Sequence, residues 1–453
     1  MVHKLWEKKG EKLLKDVELF ETGSDIELDG KFAQDDIMGS IAHGYMLSKI
    51  GILSSEEFKD AQKGLLEILK LIETGKEKLE FGDEDIHTKV ENLLTERAGQ
   101  VGKKIHTGRS RNDQVLVDMR LYAKRKLLNI WGEHLDLIDE LLLNAQKYTS
   151  APMPGYTHMQ KAMPSSAGMW FGSFAESLMD SLVTLKAAYE LNDQCPLGSA
   201  AAYGTTLPLD RELTARLLGF KKVQSNALYS QNSRGKIESV ILFALVQQLF
   251  DISKLATDVL LFTTSEFQFF KVDDCLCTGS SIMPQKKNVD LAELLRSKVH
   301  VMESYLSQVF NGTANLPSGY NRDFQDTKKP FIEGLELAEQ SLRVSYLLVH
   351  HLTPNEAALK KAMTPELYAT AAAYDLVQKG VPFREAYQQI GLHLDELQKC
   401  DADEMLKKST HLGGTGNLLI DKRLQELEKE RAQYVAEHRR FTNAMNALET
   451  LTY

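Results

Sequence analysis

Eleven consecutive residues, Thr278-Gly279-Ser280-Ser281-Ile282-Met283-Pro284-Gln285-Lys286-Lys287-Asn288, carry the densest chemistry in the chain. They combine a glycine, two adjacent hydroxyls, a proline, two lysines and an asparagine, and they run into an apolar segment free of proline. Such a loop can fold over an anionic group. Backbone N–H groups at Gly279–Ser281 and at the next helix start are donors for a developing oxyanion, and Lys286 or Lys287 supplies positive charge. The spacing is neither the Gly-x-x-x-x-Gly-Lys of a phosphate loop nor the Gly-x-Ser-x-Gly of a nucleophile elbow. Taken alone, a Gly-Ser-Ser run before a helix is more often a turn and N-cap than a catalytic element.

Three further segments change its meaning: His106-Thr107-Gly108-Arg109-Ser110-Arg111-Asn112-Asp113-Gln114, Gly155-Tyr156-Thr157-His158-Met159-Gln160, and Tyr320-Asn321-Arg322-Asp323-Phe324-Gln325-Asp326 through Lys328. With the 278–288 run they resemble, in order, the signature regions of the fumarase/aspartase superfamily and, within it, the argininosuccinate lyases. Weaker similarity extends from about Asp29 to about Ala386, including Glu84-Asp85-Ile86-His87, Pro196-Leu197-Gly198-Ser199 and Lys379 through Ala386.

The resemblance implies a reversible β-elimination of argininosuccinate to arginine and fumarate, in arginine biosynthesis. A proton must leave a carbon next to a carboxylate, a very weak acid, so the dianionic aci-carboxylate has to be stabilised where its charge develops. By resemblance Ser281, the second serine of Gly-Ser-Ser, is the base, which requires its hydroxyl to be activated as an alkoxide. Lys287 and Asn288 hold the aci-carboxylate. His158 donates to substrate or relays a proton, and Glu293 pairs with it, as a carboxylate that orients and raises the pKa of an imidazole. Ser110, Arg111 and Asn112 bind the carboxylates, for which arginine's planar fork is suited; Arg111 also fits a helix-start salt bridge. Thr157, Tyr320, Gln325 and Lys328 match substrate-contacting positions, the last three towards the arginine end, where Asp29 also points. The leaving guanidinium is already cationic, so general-acid help is a minor requirement and Ser281 outweighs His158. Nothing resembles a metal cage or a dinucleotide loop, and neither metal nor cofactor is expected. Two alternatives remain: another fumarate-releasing lyase acting on a different N-succinyl compound, and a structural oligomer of the kind the crystallins of this family form.

Several positions depart from the family pattern. Trp6 is followed by Glu7-Lys8-Lys9 where Gly-Gly-Arg-Phe is usual. Asp25 stands where a serine is usual four residues before Asp29. Val289 replaces the proline after Asn288. A Ser-Asp-Arg-Asp region becomes Asn232-Ser233-Arg234-Gly235, keeping the arginine and losing both acids. These lie around the outer substrate contacts and bear on which amine is released, not on the elimination.

The elements that must position these groups are helices. No proline occurs before Pro152, between Pro208 and Pro284, or after Pro382, and proline breaks helix interiors. Within Asn112–Tyr148, apolar residues Val115, Met119, Tyr122, Ile130, Ile138 and Leu141 recur at helical steps. In Lys236–Phe262 the series Ile241, Leu245, Leu249, Ile252, Ala256, Val259 does the same. At 1.5 Å per residue the latter helix spans about 40 Å. Ser166–Asn192, Asp290–Phe310 and Phe331–His351 read alike, giving five long helices, the core of a bundle. The chemically loaded segments fall in helix-to-helix loops or helix starts, with Ser110 or Asn112 as N-cap of the first long helix.

The expected fold is therefore all-α, in three regions: 1–108 helical, 109–353 a central long-helix bundle, and 354–453 a smaller helical region. Shorter helices are expected before Lys104, with a break at Gly82-Asp83, and after His351. Leu242, Phe243, Val246, Leu255, Leu260 and Leu261 lie off the main stripe of the 236–262 helix, so more than one neighbour must cover it, which favours association through the bundle. The resemblance implies a homotetramer with a twenty-helix core and active sites shared between chains.

The chain has 453 residues, 43% hydrophobic and 26% charged, a globular balance. Its net charge of −9 argues against a general nucleic-acid binder while leaving room for a local cluster that binds an anion. The charged first residues lack the apolar core of a signal peptide, and the most apolar stretch, Ile237 to Phe262, is broken by Gln247, Gln248, Asp251, Lys254 and Asp258, so no membrane span is expected. Four cysteines, at 195, 275, 277 and 400, form no Cys-x-x-Cys and read as reduced thiols. A soluble cytoplasmic protein is expected.

Overall fold

The proline-free stretches fold as helices. The computed structural model of the chain describes residues 14–80, 83–398 and 400–452; Trp6, Glu7-Lys8-Lys9 and Gly82, singled out above, lie outside them. The N-terminal part contributes α1 (Ala33–Lys49), α2 (Ser55–Glu73) and α3 (Ile86–Ala98). The five long helices follow as α4 (Arg111–Lys147), α5 (Ala167–Asn192), α6 (Lys236–Phe262), α7 (Asp290–Thr313) and α8 (Lys328–His350). They pack on one another up and down as one bundle, and its ends carry the connections.

Burial follows the periodicity. Ile241, Leu245, Leu249, Ile252, Ala256 and Val259 of α6 are all buried, as are Met119, Tyr122, Ile130, Ile138 and Leu141 of α4. Each fully buried Leu or Ile contributes on the order of 1.5–3 kcal/mol. Off the stripe, Leu242 and Leu255 are also buried, whereas Phe243 and Phe250 stay exposed on the single chain. Gly334 lets α8 approach α6, because a Cβ there would fall 2.5 Å from the Leu242 side chain. One polar bridge crosses three helices inside this core: His134 of α4 donates from Nε2 to Leu178 O of α5 at 2.7 Å, and its Nδ1 accepts from the Gln248 amide of α6 at 2.7 Å. Burial pushes the His134 imidazole down to about 4.

The run Ala227–Phe262, which includes α6, is long and apolar enough to cross a membrane by length and composition, unlike the sequence expectation; 56% of its apolar window is buried against the rest of the chain. A bundle-core helix has this composition for the same reason a spanning one does, because apolar neighbours surround it.

Two expectations need correction. The Thr157–Gln160 connection is not a plain loop but the turn of an antiparallel hairpin, β1 (Pro152–Thr157) with β2 (Gln160–Ser166). Its prolines and glycine masked any alternation of apolar and polar residues. The region after His351 does contain shorter helices, but it ends in a long one, α9 (Ile420–Glu449). This helix returns along α4 and α5. Its packed side carries Leu427, Phe441 and Leu448, buried, with Ile420, Leu424, Tyr434 and Met445 partly buried beside them, a narrow face that hardly stands out among its charges. Arg440 fastens it by reaching Asp193 at 2.6 Å and Gly219 O at 2.8 Å. At the far end Gln62 of α2 donates to Leu448 O at 2.8 Å.

Candidate active site

The N-terminus of α4 anchors one group of expected site residues. Ser110 is the N-cap: its Oγ accepts from Asn112 N at 3.3 Å, and Asp113 Oδ1 accepts from Ser110 N at 2.8 Å in return, a reciprocal cap. The other oxygen of Asp113 accepts from Gly198 N and Ala200 N, each at 2.9 Å, so the same carboxylate ties down the 196–200 segment. Arg111 leaves the first turn sideways, its Nε 3.1 Å from Asp85 and its Nη2 3.0 Å from Thr88 Oγ1. Asp85 is itself the N-cap of α3, accepting from Thr88 N at 2.7 Å. Burial would raise its carboxyl, but His87, Arg111 and the Thr88 amide outweigh burial and hold it below the usual range.

These groups open onto a cavity of about 220 Å³. Asp29, Arg111, Asn112, Tyr320, Gln325 and Lys328 all line it, brought from three separated stretches of sequence. Lys328, at the start of α8, reaches Asp29 at 2.7 Å and Asp25 at 2.9 Å. Burial opposes the lysine's charge, yet Asp29 and Asp25 keep its pKa above the ordinary value. Burial raises the Asp25 carboxyl despite Lys328. Gln325 donates to Glu21 O at 2.8 Å, and Glu21, Asp25, Asp29 and Glu84 make this wall acidic.

The remaining expected residues lie at the opposite end of the bundle. Thr157 and His158 occupy the exposed hairpin turn, where His158 and Met159 have left-handed φ values of 52° and 62°. The 278–288 run forms a ribbon, β3 (Thr278–Gly279) pairing with β4 (Lys287–Asn288), and Thr278 bonds Asp290 at the helix start. The hydroxyl that caps the intervening turn is Ser280, which accepts from Ile282 N at 3.3 Å and Met283 N at 3.1 Å. The Ser281 hydroxyl is exposed and makes no hydrogen bond among the described residues. Lys287 Nζ lies 2.5 Å from Asp274 Oδ1, and that hydrogen bond, then the carboxylate's charge, raises its pKa. Glu293 is exposed on the first turn of α7 and forms no ion pair with His158 within this chain.

A bundle helix separates the two groups. The 37 residues of α4 span roughly 55 Å at 1.5 Å per residue. Ser281, His158, Lys287 and Glu293 cannot reach the Arg111 cleft of their own chain.

Beneath the cleft, Asp36, His87 and Asp118 are buried with ligand-capable atoms within 4.8 Å of one another, a spacing that admits a cation. Its chemistry opposes one. His87 Nδ1 bonds Asp36 at 2.9 Å, the Gln114 amide donates to Asp36 at 2.6 Å, and Arg109 acts on both acids. Burial, and then the neighbouring Asp36 carboxylate, push the Asp118 carboxyl well up and so disfavour its charged form. Sequence reasoning assigned no role to Asp113, although its place three residues after Ser110 is the capping-box spacing. Nor did it assign one to Arg234, which also lines the cleft.

Residues 3–302 match the model of a family described as lyase. The chain is 42% identical over 421 residues to an argininosuccinate lyase of Bacteroides thetaiotaomicron, covering 93% of this chain and 94% of the relative. It is 42% identical over 430 residues to one of Sorangium cellulosum, covering 94% and 99%. Its fold is similar to that of EDDS lyase in complex with formate, with a TM-score of 0.81 over 97% of this chain and 95% of that one, at 22% identity.

Proposed function

The chain belongs to the lyase family, and on that premise we propose that it cleaves argininosuccinate reversibly into arginine and fumarate. The observation that carries this reading is the cleft itself. It gathers Arg111, Asn112, Tyr320, Gln325, Lys328 and Asp29 around one cavity, in a chain about two-fifths identical to argininosuccinate lyases along most of its length.

In this reading Ser281 removes a proton from the carbon next to a carboxylate of the succinyl group. The electron pair passes into that carboxylate, giving a dianion held by Lys287 and Asn288, and returns as the C–N bond breaks. Fumarate and a neutral guanidine result, and water protonates the guanidine. Ser110, Arg111, Asn112 and Thr157 hold carboxylates, and His158, supported by Glu293, donates to the substrate. The division of labour between two hydroxyls supports Ser281: Ser280 caps the turn, so its neighbour is free for chemistry.

The site is then completed between chains. Antiparallel bundles place the hairpin and ribbon end of one chain over the Arg111 cleft of another. Phe243, Phe250, Leu294, Val301 and Phe310, exposed on α6 and α7, supply apolar area for that contact. A homotetramer with a twenty-helix core satisfies this arrangement. The four cysteines are unpaired, which suits the reducing cytoplasm.

The test is direct. Purified protein is given argininosuccinate, adenylosuccinate, aspartate or malate, and fumarate is followed by its absorbance. Release from argininosuccinate is expected. Release from adenylosuccinate alone overturns the assignment, and release from none favours a structural oligomer.

A further inference from the structure

Four cations border the cleft, and three are answered by carboxylates of the same chain: Arg111 by Asp85, Lys328 by Asp25 and Asp29, and Arg322 more loosely by Glu21 at 3.9 Å. Arg234 is not. Among the described residues it forms no ion pair, and its Nη1 is buried without an acceptor. Its guanidinium lies 5.3 Å from the ring centre of Tyr320 and 5.2 Å from that of Phe324. Burial works against its charge, and Tyr320, Glu238 and Asp25 favour that charge without pairing with it. A buried guanidinium with no counter-charge is costly unless something supplies one.

The local sequence explains how the arginine came to be unpaired. Both acids of the family pattern around it are gone. Ser233 is occupied otherwise, donating to Ser230 O at 2.7 Å and accepting from Arg120 at 3.0 Å. Gly235 has a φ of +76°, and a Cβ there would fall 2.2 Å from Thr313 Oγ1, so an acidic side chain has no room. Asn232 accepts from Gly319 N at 2.9 Å and donates to Ser318 Oγ at 3.2 Å. It thereby fixes the turn that presents Tyr320 beside the arginine.

We propose that Arg234 is a specificity-determining residue whose guanidinium binds the α-carboxylate of the amino-acid portion of the substrate, remote from the succinyl group. This rests on the argininosuccinate reading of the cleft and deepens it. The position fits, because Arg234 is packed against Tyr320 and Phe324, in the segment expected at the arginine end. The planar fork suits a carboxylate, and the two rings restrict its orientation.

The test compares arginine with agmatine, which has the same guanidinobutyl chain and no carboxylate. Their binding to the wild-type protein and to Arg234→Met is measured by titration calorimetry, alongside steady-state turnover of argininosuccinate. The wild type is expected to prefer arginine by at least about tenfold. Arg234→Met should lose that preference through weaker arginine binding. Agmatine binding should stay unchanged, which shows that the cleft is still folded. KM for argininosuccinate should rise about tenfold with kcat within about threefold, and Arg234→Lys should recover part of the difference. Retained preference for arginine in Arg234→Met overturns the assignment, as does equal loss of both ligands, which marks a structural role. A wild-type protein that does not consume argininosuccinate overturns the functional reading and this assignment with it; normal wild-type turnover with an unaltered variant overturns this assignment alone.

Discussion

The ammonium of Lys328 stands 2.7 Å from the carboxylate of Asp29, both buried, at the junction of α8 with the N-terminal helices. The second oxygen of Asp29 accepts from Ile86 N at 3.3 Å, so one pair joins the bundle, the start of α3 and the floor of the cleft. Asp29→Asn and Lys328→Met are each expected to raise KM for argininosuccinate at least about tenfold, as loss of a charge-assisted contact does. In urea unfolding at one fixed protein concentration, the double variant should reveal a coupling of about 1–3 kcal/mol. Additive effects would mean that the two groups contribute to stability independently of one another.

Ser281→Ala should leave helicity and assembly unchanged and lower kcat on the order of 10²- to 10⁴-fold, the range for loss of a proton-transferring group. Ser280→Ala should behave differently, loosening the 278–288 turn and raising KM. A Ser281→Ala variant with near-normal kcat would remove serine as the base.

Mixing offers a test of the shared site. Ser281→Ala damages one end of the bundle and Arg111→Ala the other, so each alone should be inactive. Unfolded together and refolded, random mixing should restore roughly a quarter of the intact sites. Zero recovery, with mixed assemblies shown by native mass spectrometry, would place both residues in the same chain's site.

Lys287 must let go of Asp274 to meet a carboxylate. Both partners are exposed, and such pairs are weak, so Asp274→Asn should lower KM by no more than about threefold and spare kcat. A loss of activity beyond tenfold would show that the pair is kept during turnover.

The buried imidazole of His134 gives a pH prediction. Its pKa is pushed down to about 4 in the folded chain, against about 6.5 when unfolded. Between those values the unfolded state binds the extra proton, so stability falls as pH drops from about 6.5 to about 4. The contribution is on the order of 3 kcal/mol at most. Thermal midpoints of His134→Gln should be lower than wild type at pH 7 and should decline less steeply with acid. An equally steep decline would assign the acid sensitivity to other groups.

Much of the fold was legible because its physics is local. The proline-free gaps and the Ile241 to Val259 series mark α6 from Lys236 to Phe262, and the observed helix has those ends. A cap at Ser110 or Asn112 follows from residue type and position, and the structure places it at Ser110. The hairpin around Thr157 was hidden because Pro152, Pro154, Gly155 and Pro164 interrupt any alternation of apolar and polar residues along its strands. Helix α9 was hidden because its narrow apolar face, set among many charges, needs a partner surface before it means anything. For the site, the motif residues are legible as a pattern, but their separation to opposite ends follows only from counting helix lengths and directions. Arg234 was visible as a retained arginine among lost acids. That it lacks a counter-charge is a tertiary property which no spacing encodes.

The stripe on α9 covers the seam between α4 and α5, where Tyr434 packs against Trp131 with ring centres 6.0 Å apart. That seam is made early in translation and its cover late. From Asn192 to Ile420 the ribosome works on with the groove bare, an interval on the order of ten to forty seconds at roughly 5–20 residues per second. The nascent chain therefore carries open apolar surface for much of its birth, and expression yield should respond to chaperone supply or to cooling more than the finished protein's own durability would suggest.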